Sequence, residues 1–173
     1  MFSRKDTLVK CVKCAAGTIR RKATLESPYR FVQSGLENVY LVGITVEKCP
    51  HCGSEYPIIP RVEDLHKAIA AELARKKTLL SGDEIRFLRK IAGFPANTFA
   101  SLLRIDPSTL SRAENERQTL GHSSDKLARA VAMAAINEAS VKEILIRAAD
   151  KLARPRRSRL PIFRYRAGWR AAA

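Results

Sequence analysis

The chain reads as an α+β protein, a small N-terminal β-rich domain followed by an all-α domain, and three features carry that reading. Its four cysteines fall in two equally spaced pairs, Cys11-Val-Lys-Cys14 and Cys49-Pro-His-Cys52. Between the pairs the apolar residues come in short runs broken by turn residues, whereas beyond Pro60 they recur every three or four positions. Two serines, Ser81 and Ser140, each stand three residues ahead of a glutamate, Glu84 and Glu143, at the head of an apolar stripe. That spacing is the capping box of a helix start.

The cysteines predict one metal site. Two residues between partners let a tight turn aim both sulfurs at one tetrahedral centre, and two such turns supply four thiolates. The expected cofactor is one structural Zn2+, held by Cys11, Cys14, Cys49 and Cys52, with no coordination place left for water. His51 sits inside the second turn and reads as solvated. Two disulfides or four idle thiols are the alternatives. Met1 to Lys10 carries Arg4, Lys5, Asp6 and Lys10 and no apolar run of signal-peptide length, so a reducing cytoplasm is the expected location. A redox dithiol would need one pair only, set where a strand runs into a helix.

Residues 1–60 form the expected zinc domain. Strands are predicted at Thr18 to Leu25, Tyr29 to Val32 and Val39 to Val46, separated by Ser27-Pro28 and Ser34-Gly35. A core of this size is marginal alone, so the metal is expected to supply folding free energy. Val62, Leu65, Ile69 and Leu73 then recur at helical spacing, giving a connector helix within 61–80.

Residues 81–153 are expected to be helical. One helix starts at Ser81, carries Ile85, Leu88 and Ile91 inward and stops at Gly93. A second runs from Pro95 to Leu103. Asp106-Pro107 opens a third, since Asp caps well and Pro suits the first helical position. With Leu110 and Ala113 facing inward, Ser108, Thr109, Ser111, Arg112 and Asn115 point away. Hydroxyls, one arginine and one amide on a short helix suit the major groove of DNA, where Arg grips guanine and Asn adenine. Asn97 and Thr98, at the start of the second helix, are candidates for phosphate contact. Leu127, Val131 and Ala134 continue a further helix. Val141, Ile144, Leu145, Ala148 and Leu152 give a last stripe, which either packs on the helical core or forms a dimer seam.

Charge agrees with a polyanionic partner: the net charge is +15 and the pI about 10.2. Seven arginines and no acid lie from Arg154 onward. With its two prolines, 154–173 reads as a flexible basic arm suited to phosphate, or as a solubilising tail. No apolar stretch approaches membrane-spanning length. His51, His66 and His122 show no nucleophile-base pattern and no Gly-rich phosphate loop is present, so no enzyme is expected.

Ile85-Arg-Phe-Leu-Arg-Lys-Ile-Ala-Gly93, Phe99-Ala100 and Pro107-Ser-Thr-Leu-Ser-Arg-Ala-Glu-Asn115 resemble the Cro/Xre-type helix-turn-helix. With the cysteine pairs upstream, residues 8–136 resemble the MqsA antitoxin family with its YgiT-type zinc finger. The resemblance implies a homodimeric transcriptional repressor on a palindromic operator of double-stranded DNA. It also implies an antitoxin that autoregulates its operon, its zinc domain holding a ribonuclease toxin. By position it makes the four cysteines zinc ligands, Ser108 and Arg112 recognition-helix contacts, and Glu114 the ion-pair partner of Arg89. The chain departs from the family pattern at Arg104 and Glu116, where glycines are usual, at Ala96, where a Gln often binds phosphate, and at Ala113, where an aromatic is usual. A stand-alone helix-turn-helix regulator and an RNA-binding zinc protein are the alternative readings.

Overall fold

The structure, a computed structural model, describes residues 9–136, 160–165 and 167–172. It is mixed α+β. Strands β1 (Ile19–Lys22), β2 (Tyr29–Arg30), β3 (Tyr40–Val42), β4 (Thr45–Lys48) and β5 (Glu55–Ile58) precede five helices among the described residues. These are α1 (Val62–Arg75), α2 (Gly82–Ile91), α3 (Ala96–Leu102), α4 (Pro107–Glu114) and α5 (His122–Ile136), followed by β6 (Ile162–Tyr165) and β7 (Trp169–Ala172). The predicted helix from Ser140 to Leu152 lies outside the described residues.

Two small sheets result, one in the antiparallel order β1-β4-β5 and one in the order β2-β3-β6-β7. The apolar run from Val39 to Val46, expected as one strand, is divided between them at Gly43. There φ is +80°, and a Cβ would come within 2.6 Å of the Tyr165 carbonyl oxygen. Only glycine lets the chain turn this corner while another backbone passes so close. The strand β5 was not expected, because Pro57 interrupts its pattern. It is tolerated on the edge of the sheet, where a missing amide need not break a ladder.

The C-terminal hairpin is the largest departure from expectation. Residues 154–173 read as a flexible arm, yet β6 pairs in parallel with β3, Leu41 opposite Phe163, and β7 closes back on β6. Arginine-rich composition hides three anchors: Leu160, Phe163 and Trp169 are buried, and Trp169 Nε1 donates to the Pro60 carbonyl at 2.9 Å.

The helix α1 forms where its spacing predicts, with Leu65, Ile69 and Leu73 inward as expected but Val62 exposed at its first position, and it is more than a connector. Its face of Leu65, Ile69, Ala70, Leu73 and Ala74 is buried against α2, α5 and β7. One continuous core runs from Leu41 and Val46 through this helix to Phe99 and Leu110. The inward face of α5 also differs from the predicted stripe. Asp125, Ala128, Arg129, Ala132 and Met133 point in, while Leu127 and Ala134 are exposed. A buried ion pair displaces the apolar stripe. Arg129 Nε donates to Asp125 at 2.7 Å, and its other nitrogens donate to the carbonyls of Leu73, Ala74, Lys76 and Thr78. Asp125 in turn accepts from the Leu80 amide at 2.7 Å. The last carbonyls of a helix lack partners further along it, and here one guanidinium takes two of them, Leu73 and Ala74, together with the carbonyls of Lys76 and Thr78 just beyond the helix. No helix is long and apolar enough to cross a membrane among the described residues.

Candidate metal centre and exposed polar helix

Both cysteine pairs occupy hairpin turns of the same backbone design. In the first, the Cys11 amide donates to Ala16 O at 2.8 Å and the Ala15 amide to Cys11 O at 2.9 Å. In the second, the Cys49 amide donates to Ser54 O and the Gly53 amide to Cys49 O, both at 2.9 Å. The bridge Lys10↔Gly17 closes the first turn, and β4 and β5 close the second. Each turn needs one residue at positive φ after its second cysteine. Gly53 supplies it at +71°, and Ala15 supplies it at +57° against the steric preference of an L side chain.

The turns face each other. All four Sγ atoms lie within 4.8 Å of one another, with Cys11 to Cys52 and Cys14 to Cys49 each at 3.5 Å. All four cysteines are free thiols. A tetrahedral ion about 2.3 Å from each sulfur sets sulfurs roughly 3.8 Å apart, so the cluster fits a single metal ion with four sulfur donors. Crowding splits their acidity. The Tyr56 hydroxyl, 3.4 Å from Cys11 Sγ, pulls that thiol down to about 6, aided by the Cys14 and Lys13 amides. Cys14 is pushed up to about 12: an amide bond from Ala16 favours its thiolate but is outweighed by Cys49, burial and Cys11 together. Four thiols so close cannot all ionise without a cation among them. Cys52 Sγ lies 3.3 Å from Ser54 Oγ, and hydrogen bonds from the Ser54 hydroxyl and amide favour its thiolate and lower its pKa. His51 is exposed in the second turn and lies outside the cluster.

The expected DNA-facing residues are brought together in part. Asp106 caps α4, accepting from the Ser108 amide at 2.7 Å, and Arg104 and Glu116 take φ +55° and +58° at its two ends. These are the two places where the resembled family has glycine. Leu110, Ala113 and Glu114 are buried, while Ser108, Ser111, Arg112 and Asn115 are exposed. Arg112 rests on the Ser108 and Thr109 hydroxyls at 3.3 and 3.4 Å. Thr109 is half-buried. Asn115 is engaged at both ends of its amide, Nδ2 donating to Ser111 O at 2.8 Å and Oδ1 accepting from Arg86 at 3.1 Å. Asn97 and Thr98 stand exposed in the first turn of α3.

Packing of α4 onto α2 is fixed by a two-toothed ion pair, Arg89 Nε and Nη2 to the Glu114 carboxylate at 2.6 and 2.9 Å. The helices meet closely: a Cβ on Gly82 would lie 2.5 Å from Ala113 O. Tyr56 and the Arg129–Asp125 clamp escaped the sequence reading. For the clamp a signal existed, an acid and an arginine four positions apart; for Tyr56, none did.

No family model, no curated protein and no solved structure matches the chain.

Proposed function

We propose that this protein is a zinc-stabilised, sequence-specific DNA-binding transcriptional repressor. The observation that carries the reading is α4, a helix whose buried side is locked to α2 through Glu114 while Ser108, Ser111 and Arg112 stand outward on it. In this reading α3 and α4 act as a helix-turn-helix, α4 entering the major groove and Arg112 reading one base edge. Asn97 and Thr98 meet phosphate. Asn115, already bonded to Ser111 and Arg86, positions α4 rather than reading adenine. The net charge of +15 supplies the sequence-independent part of binding.

Zn2+ in the four-cysteine cluster neutralises the thiolates and cross-links the two turns, which suits a structural role. Homodimers on a palindromic operator multiply the specificity of one short helix. Autoregulation as the antitoxin of a ribonuclease toxin completes the proposal; its support is the resemblance of the paired motifs.

The test is a titration of metal-loaded protein onto its own upstream region, random duplex and structured RNA, with bound metal measured in parallel. Preference for the upstream duplex is expected, and Arg112→Ala should lose about 1–3 kcal/mol of discrimination at one base position. Equal binding to random duplex would sink the repressor reading, and preference for RNA would replace it.

A further inference from the structure

The hairpin β6–β7 holds two arginines in an arrangement that strand pairing by itself disfavours. Arg164 stands directly opposite Arg170 in the register, and like charges directly opposite each other in an antiparallel pair repel. Paired residues share a face of a sheet and neighbours along a strand alternate. Phe163 and Trp169 therefore point to the core, where both are buried, and Arg164 and Arg170 point to the opposite face.

That face continues across the sheet. Val42 is the register partner of Arg164, and Arg30 that of Tyr40. That side of the sheet thus carries Arg30, Tyr40, Val42, Ile162, Arg164 and Arg170, with three arginines and no carboxylate; Val42 is buried there, Arg164 is half-buried, and Arg30 and Arg170 are exposed. Arg30 donates to the Glu37 carbonyl. Among the described residues no carboxylate pairs with Arg164 or Arg170.

The platform beneath them is rigid. Trp169 is bonded to Pro60, its ring lies 5.4 Å from that of Tyr165, and β6 is pinned by its parallel pairing with β3. Two guanidiniums on such a ribbon are pre-set for an anion that bridges them, and the guanidinium fork matches phosphate oxygens.

We propose that this face is a second nucleic-acid contact, at which Arg164 and Arg170 clamp the phosphodiester backbone of duplex DNA without reading its sequence. The choice of DNA as the polyanion rests on the reading of α4 given above. A bilayer is disfavoured because the exposed residues of this side, Arg30 and Arg170, are charged and offer no apolar surface to insert.

The test compares full-length, metal-loaded protein with Arg164→Gln/Arg170→Gln and Arg164→Lys/Arg170→Lys. Affinity for the upstream duplex and for a random duplex is measured across a salt series. The Gln variant should show a slope of log K against log salt shallower by about 2, one per lost phosphate contact, with the ratio between the two duplexes unchanged. The Lys variant, keeping both charges, should retain the wild-type slope.

An unchanged slope in the Gln variant overturns the proposal while leaving the α4 reading intact. So does a Lys variant as impaired as the Gln variant, which would assign the arginines to packing. Wild-type protein that binds neither duplex removes both readings together. A Gln variant that binds DNA as before but loses anionic vesicles or an acidic peptide would transfer the face to that partner and overturn the DNA assignment.

Discussion

The cysteine end and the helical end of this molecule gather their loose backbone in opposite ways. At the cysteine end two turns converge on each other with four sulfurs and little else, Tyr56 and Ser54 being their hydrogen-bonding neighbours. At the helical end one buried guanidinium, Arg129, holds four carbonyls and a carboxylate that also takes the Leu80 amide. The first device is a set of four sulfur donors that could hold a cation taken from solution. The second carries its own charge and counter-charge. The difference teaches that the cysteine end leaves room for a charge supplied by the medium, whereas the helical end supplies both charges from the chain.

Metal removal should break this comparison most visibly. A strong chelator is expected to strip amide protection from 10–17 and 45–58, where free energies of metal binding on the order of 10 kcal/mol are at stake, before it touches α2 to α5. Hydrogen exchange read by mass spectrometry reports this, and simultaneous loss everywhere would show that the ends are not separately held. Next in size is Asp125→Ala, which leaves Arg129 buried without its counter-charge and should cost about 3–5 kcal/mol in denaturant melts. Asp125→Leu with Arg129→Met should recover much of that.

A smaller effect compares the two turns directly. Gly53→Ala should cost about 1 kcal/mol, because φ +71° is strained for alanine although nothing lies within 4 Å of the added methyl. Ala15→Gly should go the other way by up to about 1 kcal/mol. Melts of both metal-loaded variants check the pair of signs; shifts in the same direction would mean that the turns are not equivalent.

The smallest expected effect concerns the junction of the two ends. His66 stacks on Phe31 at 6.1 Å and meets Phe87 edge-on at 5.9 Å. Burial holds it below its ordinary pKa, with Glu63 opposing. In the unfolded chain it protonates near its ordinary value, roughly 6.5, while the folded chain resists until lower pH. The unfolded state therefore binds more protons in that window, and stability should fall as pH drops below about 6.5. His66→Phe should flatten this part of the pH profile, and an unchanged profile would place the titration elsewhere.

What the sequence disclosed follows from distance along the chain. The cysteine turns, the capping box at Ser81 and the cap at Asp106 are each decided within four residues, and each stands where local reading puts it. The stripe of α1 was legible too, because five buried positions share one face. The strand β5 and the hairpin were not, since pairing with β4 and β3 decides them and their own composition, a proline and a run of arginines, argues otherwise. On α5 the apolar positions misled, because a charged pair takes the buried side when it has carbonyls to satisfy. The four-cysteine cluster was fully readable, whereas the Tyr56 hydroxyl beside it and the two bonds that engage Asn115 within the protein were not.

One pairing sets an order of assembly. Leu41 waits for Phe163, and helices α1 to α5 are made in the interval. At ribosomal speeds the delay is on the order of ten seconds, during which the edge of β3 stays open to any extended strand nearby. Pairings so remote in sequence slow the search for the native state, so freshly made chains have reason to need sheltering until the last hairpin arrives.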